Sequence, residues 1–385
     1  MGVLQPIDIA AGKPIEARDA SPESKLIGLE LIRFACAFAV LLWHYRHFYC
    51  MPGSPQFIQS AQPLHWLFAP FFDYGLFGVQ LFWGISGFIF FWKYGQAIAK
   101  RAISGTNFFW LRLSRLYPLH FATLLLVAAL QPVHVSLTGQ SFIYQDNTPS
   151  NFVAQLFMAT HWGGPAPYSF NGPIWSVSAE VFVYALFYLA VRYFGAGWRT
   201  IALAIAASLV GQAAGLASPV LFCACYFFAG GAAARLFLDA RDAGRAALLT
   251  RLSLLMLALI IGGSWVQDIQ LNEQNLTFLL LIGTPPMLII GARDWKWLER
   301  RPAAIQAAGN LTYSTYLIHF PLQLAVAITC AATGLALPVQ SPLFLAAYLA
   351  SVIAAGRWIF LRFERPAQSW IRRRALTQRI TAATA

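Results

Sequence analysis

Ten apolar runs decide what this chain can be. They lie at about 26–49, 74–92, 116–133, 174–194, 200–216, 218–234, 252–267, 275–291, 309–331 and 341–361, and a bilayer core about 30 Å thick takes roughly 20 helical residues to cross. Of the 385 residues, 58% are hydrophobic and 11% charged, with mean hydropathy +0.58. Soluble domains carry about a quarter charged residues, so a soluble enzyme is excluded. The chain is expected to be an all-α, polytopic membrane bundle of about ten transmembrane helices. The division between 200–216 and 218–234 rests on Ala217 to Pro219 alone.

The formal charge is +12, and its distribution gives it meaning. Counted from a cytoplasmic N-terminus, Lys93, Lys100, Arg101, Arg112 and Arg115, then Arg192 and Arg199, then Arg235, Arg241, Arg245 and Arg251, all fall inside. So do Arg293, Lys296, Arg300, Arg301 and the arginines from Arg362 to Arg379, and only Arg46 falls outside. This is the positive-inside pattern of a membrane protein with both termini cytoplasmic, and it removes nucleic acid as the reason for the charge. Residues 1–25 are polar and mixed in sign, without the apolar core and cleavage site of a signal peptide. They are expected to form a disordered cytoplasmic tail, with 26–366 as the membrane domain and 367–385 as a basic cytoplasmic tail.

Cys36, Cys50, Cys223, Cys225 and Cys330 have neither metal-ligand spacing nor a paired framework and read as small core residues. Two outer segments, 46–73 and 131–173, exceed a minimal connection and are rich in Tyr, Trp, His, Gly and Pro. They either line a sugar or polyol site or form an aromatic cap at the interface.

Charge at membrane depth is costly and marks function. The first run carries Glu30, Arg33 and His44. At about 100° per residue, Arg33 and His44 return to within roughly 20° of one helix face, about 16 Å apart along it. Glu30, one turn before Arg33, is placed to pair with it. The alternative is that Arg33 snorkels to the headgroups while His44 caps the span. Arg112 and Arg115, spaced i, i+3 at the mouth of the third run, suit a phosphate group or plain membrane anchoring.

Glu180 lies about 9 Å below the outer boundary and His44 about 22 Å from the inner one, so across a core of about 30 Å their depths agree. An acid and an imidazole at one level are placed to act as an acid–base pair; the alternative is that Glu180 is simply protonated, or bonded to Ser176 one turn back. The ninth run carries a polar stripe at 312, 316 and 319 with His319 near the membrane middle, lining a cavity or bonding a neighbouring helix. The small residues between Gly78 and Phe88 permit close helix approach.

Together these blocks resemble the type-three membrane acyltransferases, which O-acylate bacterial surface polysaccharides such as O-antigen and exopolysaccharide. The resemblance rests on Arg33-x(10)-His44, the block from Gly78 to Phe88, Arg112-x-x-Arg115, Trp175-Ser-x-Ser-x-Glu180, Thr312 to His319, and Glu364-x-Pro366. Two positions depart from the family pattern: Glu30 stands where Asp is common, and Gln80 replaces an Asp. The hydrolase-like domain fused to some relatives is not expected.

The resemblance implies an acyl-coenzyme A co-substrate, acetyl-CoA first, held from the cytoplasm by Arg112 and Arg115. It implies a hydroxyl of an extracytoplasmic polysaccharide, glycolipid or lipid-linked glycan as acceptor, no metal, and a place among the lipids of the bacterial inner membrane, alone or as a homo-oligomer. His44 is then the general base, or a nucleophile through an acyl-imidazole, with Glu180 holding its tautomer or binding the acceptor, and Arg33 guiding the donor or holding the pathway open. Glu30, Trp175, Ser178, Tyr313, Tyr316 and His319 are expected to contact substrates. The competing class is a glycan or lipid-precursor transporter whose buried charges relay protons, although no internal repeat or interrupted half-helix supports transport.

The charge pattern makes a topological prediction. Cysteines introduced at Gln59 and Asn147 react with an impermeant thiol reagent added outside cells, and those at Ser104 and Asp242 do not. Labelling at Ser104 in intact cells would refute the ten-span arrangement.

Overall fold

The computed structural model describes residues 26–216, 218–267, 269 and 272–383; the expected tail 1–25 lies outside them. Fourteen α-helices follow in order: α1 Ile27–His44, α2 His65–Tyr74, α3 Gly78–Phe90, α4 Gln96–Ala99, α5 Gly105–Thr138, α6 Pro149–Leu156 and α7 Ile174–Phe194. Then come α8 Trp198–Ala213, α9 Pro219–Asp242, α10 Ala246–Val266, α11 Glu273–Ala292, α12 Pro302–Thr333, α13 Pro342–Ile359 and α14 Arg365–Ala383. No strand occurs among the described residues. An apolar solvent leaves backbone polar groups no partner outside the chain, and a helix satisfies them within one segment.

Nine helical segments among the described residues are long and apolar enough to cross a membrane. The tenth expected run, 200–216, forms α8, a helix of 16 residues, about 24 Å long against a core of about 30 Å. Gly215, in the left-handed region at φ 83°, follows its end, and α8 packs along α9. Other spans outrun their apolar runs. The second extends over His65–Ala99, its helices joined through a 3₁₀ turn at Gly75–Phe77 and a π turn at Phe91–Gly95. The third is a helix of 34 residues, whose N-terminus is capped by Ser104 Oγ accepting from the Asn107 amide at 3.2 Å. A second π turn, Phe360–Glu364, joins α13 to α14. The basic segment after residue 366 is thus helical and returns to the bundle, Arg372 Nε donating to Ser114 Oγ of α5 at 3.2 Å.

The interior divides into two apolar clusters. One gathers Trp83, Phe88, Phe90, Phe187 and Phe227 around α3, α7 and α9; the other gathers Tyr45, Phe48, Phe72, Phe320 and Tyr348 around α1, α12 and α13. Glycine sets the first. The Gly87 Cα faces the Phe227 carbonyl and Gly230 faces that of Gly84, leaving no room for a side chain at either, so α3 and α9 meet backbone to backbone. Of the cysteines, Cys36, Cys223, Cys225 and Cys330 are buried as expected of core residues, but Cys50 is exposed because the 3₁₀ turn Tyr45–Cys50 carries it out of the first helix. The labelling experiment above therefore starts from Cys50→Ser.

Gly87→Ala and Gly230→Ala should each cost about 1–3 kcal/mol through overpacking, seen as a lower unfolding temperature of the purified protein. Gly262→Ala, where nothing lies within 4 Å of the added carbon, should leave it unchanged or higher. Equal behaviour of all three would remove the α3–α9 contact as a determinant of the fold.

Candidate active site

One cavity of about 100 Å³ brings together Arg33, Arg112, Arg115 and Glu180, charged residues from three different spans. Arg33 enters it from α1, Arg112 and Arg115 from α5, Glu180 and Tyr184 from α7, Tyr313 and Tyr316 from α12, and Ser86 from α3. Spacing explains the first two helices. Arg112 and Arg115 share a face one turn apart, and Glu30, one turn before Arg33, pairs with it at 3.2 Å. Gly309 of α12 packs directly on the Glu30 carboxylate, so this ion pair is held between α1 and α12.

The three guanidinium groups are not equivalent. Arg112 donates to Tyr94 Oη at 2.8 Å and lies over the rings of Phe90 and Tyr94, 4.8 and 5.0 Å from their centroids. Its Nε has no partner. Arg115 makes no hydrogen bond or ion pair among the described residues and is the free cation of the cavity. Ser86 and Tyr184 lie beside the Glu180 carboxyl, whose Oε1 is buried and unpartnered. Arg33, Arg112 and Arg115 line the cavity together with Glu180, and the unpartnered Arg112 Nε and Glu180 Oε1 offer one donor and one acceptor.

His44 lies elsewhere, which corrects its expected partnership with Glu180. Its ring contacts Trp43, His47 and His319, with centroids at 4.7, 5.1 and 4.7 Å. Equal depth on two helices says nothing of azimuth: α7 turns Glu180 toward α3 and α5, whereas α1 turns His44 toward α12. Ser176 does not hold Glu180 either; its hydroxyl pairs with Tyr316 Oη at 2.7 Å.

A backbone carbonyl orients His44 in place of a carboxylate. Its Nδ1 lies 2.8 Å from the Val40 oxygen, a contact that only a protonated Nδ1 satisfies, so Nε2 carries the lone pair. Gln323 braces His44, at the end of α1, and His47, in the 3₁₀ turn that follows it. Its Nε2 donates to the His44 carbonyl at 3.0 Å and to Tyr348 Oη at 3.2 Å, while its Oε1 accepts from His47 Nδ1 at 3.0 Å. His319 is fully buried with no partner at either ring nitrogen. The cavity and the histidine group are neighbours along α12, where the Tyr316 ring is 6.1 Å from that of His319.

The remaining expected residues divide by role. Tyr313 donates to the Leu116 carbonyl at 2.7 Å and Tyr316 to that of Pro173 at 2.9 Å, each keeping its ring on the cavity. Ser178 is fully buried and donates to the carbonyls of Met158 and Thr160, both at 2.6 Å, which ties α7 to the preceding loop. Trp175 packs edge-on against Trp83 at 5.7 Å and also faces His161 and Tyr168. Ser86, Tyr184, His47 and Gln323 escaped sequence reasoning. Tyr184 lies one turn beyond Glu180 and His47 three residues beyond His44, a periodicity that marks both, but Gln323 carries no comparable signal.

The segment before α7 forms a wall of its own. Tyr144, His161, Tyr168 and Trp175 stand with neighbouring ring centroids 5.4 to 6.2 Å apart. Met158, His161 and Phe170 take positive φ without being glycine, at 52°, 63° and 41°, a strain that persists where the surroundings hold it. Thr160 Oγ1, both ring nitrogens of His161 and Asn171 Oδ1 are buried and unpartnered. Aromatic faces beside unused polar atoms suit a ligand with many hydroxyls.

Residues 26–360 match the acyltransferase-3 family through its acyltransferase domain. No curated protein and no solved structure matches the chain. With a family match over most of its length and apolar helices throughout, the chain belongs to the acyltransferase-3 family and is a multi-pass membrane acyltransferase.

Proposed function

We propose that this acyltransferase moves a short acyl group, acetyl first, from cytoplasmic acyl-coenzyme A to a sugar hydroxyl of a surface glycan or glycolipid precursor on the outer side of the bacterial inner membrane. One arrangement supports the reading: a cavity lined by three guanidinium groups lies beside Tyr316, whose ring neighbours His319 and, next to it, His44, a histidine whose Nδ1 faces a carbonyl and leaves Nε2 to act as base. Arg115 takes the donor's anionic part, Arg112 assists from its aromatic cage, and Arg33 with Glu180 lines the way inward. The aromatic wall of Tyr144, His161, Tyr168 and Trp175 suits the acceptor.

In the transfer, the acceptor hydroxyl oxygen forms a bond to the thioester carbonyl carbon while the carbon–sulfur bond breaks. His44 Nε2 receives the hydroxyl proton and returns it to the departing thiolate, so coenzyme A leaves as the thiol. Gln323 and the Val40 carbonyl hold the imidazole in place. Glu180 acts on the donor side, by balancing the guanidinium charge.

Donor affinity measured by calorimetry tests the first half. Arg115→Ala should weaken acyl-coenzyme A binding by about ten-fold or more, the worth of a hydrogen bond to a charged group. Arg112→Ala should cost less, since its guanidinium is already engaged, and Lys at either position should restore only part. Glu180→Gln should change donor affinity more than turnover. Unchanged affinity in the double Ala variant returns both arginines to membrane anchoring.

Acylation of surface glycans, followed by mass spectrometry, tests the second half. His44→Ala should abolish the product while retaining donor binding, and wild-type activity should fall on acidification as the imidazole gains a proton. Labelled donor without acceptor separates two chemistries: label retained on wild-type protein and absent from His44→Ala means an acyl-imidazole with ping-pong kinetics. Full acylation by a folded His44→Ala protein sinks both.

A further inference from the structure

The surface between α1 and α12 holds a second concavity, independent of the transfer site. Its volume is about 450 Å³, with Leu31 and Phe34 of α1 on one wall, Ile305 of α12 on the other and Trp297 at the end. Arg300 and Arg301 stand at its rim. Neither arginine side chain makes an ion pair or hydrogen bond among the described residues. The lining is otherwise apolar, and it lies where α1 and α12, two candidate spans, both begin.

We propose that this groove binds one anionic phospholipid, its phosphate on Arg300 and Arg301 and an acyl chain lying over Leu31, Phe34 and Ile305. The chemistry selects that occupant. The apolar lining takes hydrocarbon, and two adjacent guanidinium forks at its edge complement a phosphate diester. Residues at the end of a membrane span stand at headgroup level, where arginine meets lipid phosphate. A zwitterionic lipid offers the same chains but cancels the charge that the rim complements. The groove also has a structural position that gives the lipid an effect. Leu31 and Phe34 directly follow Glu30 and Arg33, whose ion pair lies between the same two helices. A lipid seated there clamps α1 to α12, and those helices bring His44 against His319.

The test uses full-length protein purified in detergent and stripped of lipid, with thermal unfolding and native mass spectrometry as readouts. Phosphatidylglycerol should raise the unfolding temperature and remain bound as one molecule per chain, because a ligand that binds only the folded state stabilises it. Phosphatidylcholine and soluble glycerol 3-phosphate should do neither. The double variant Arg300→Ala, Arg301→Ala should bind phosphatidylglycerol about thirty-fold more weakly, roughly five-fold for each guanidinium removed. Ala304→Trp keeps both arginines but fills the groove at an exposed position, and it should lose the lipid as well. Equal retention of phosphatidylcholine, equal stabilisation by glycerol 3-phosphate, or wild-type binding by either variant overturns the proposal.

Discussion

Guanidinium groups inside an apolar bundle are the constraint on which the rest of the molecule depends. Each buried charge carries a desolvation cost that only partners or a polar cavity offset. Arg33 takes Glu30 on its own helix, and Arg112 takes Tyr94 and aromatic faces. Arg115 is left to the cavity and to Glu180 across it. Five helices must converge to enclose this group, and they converge because glycine lets α3 and α9 touch through their backbones. The close packing at Gly87 and Gly230 and the charge at Arg115 therefore belong to one design: the first builds the walls that make the second tolerable.

The cavity's three guanidinium groups and the imidazoles occupy different parts of the bundle. A base must hold its lone pair, and a guanidinium beside it would oppose the gain of a proton. Here the cavity's cations sit on one side of Tyr316, while His44, His47 and His319 form a group of their own on the other. The transferase chemistry proposed above needs both, anion binding and proton transfer, and α12 serves each with a different stretch of one helix.

Much of this was legible in the chain itself. Apolar runs of membrane length show the all-helical architecture because the bilayer admits little else, and the run at α8 includes a turn near Gly215 and leaves a helix of 16 residues. The pairing of Glu30 with Arg33 and the shared face of Arg112 and Arg115 follow from helical periodicity, which sequence carries in full. The family match covers residues 26–360, the stretch that holds these residues.

What sequence alone determined was therefore the set of helices and the residues that each presents on one face, since both follow from local geometry. Which faces meet was decided only by tertiary packing. Depth along a span is counted from residue numbers, but azimuth against a neighbour depends on how ridges and glycines interlock. That is why Glu180 turns to Arg115 and not to His44, and why Gln323, silent in the sequence, braces His44 from α12.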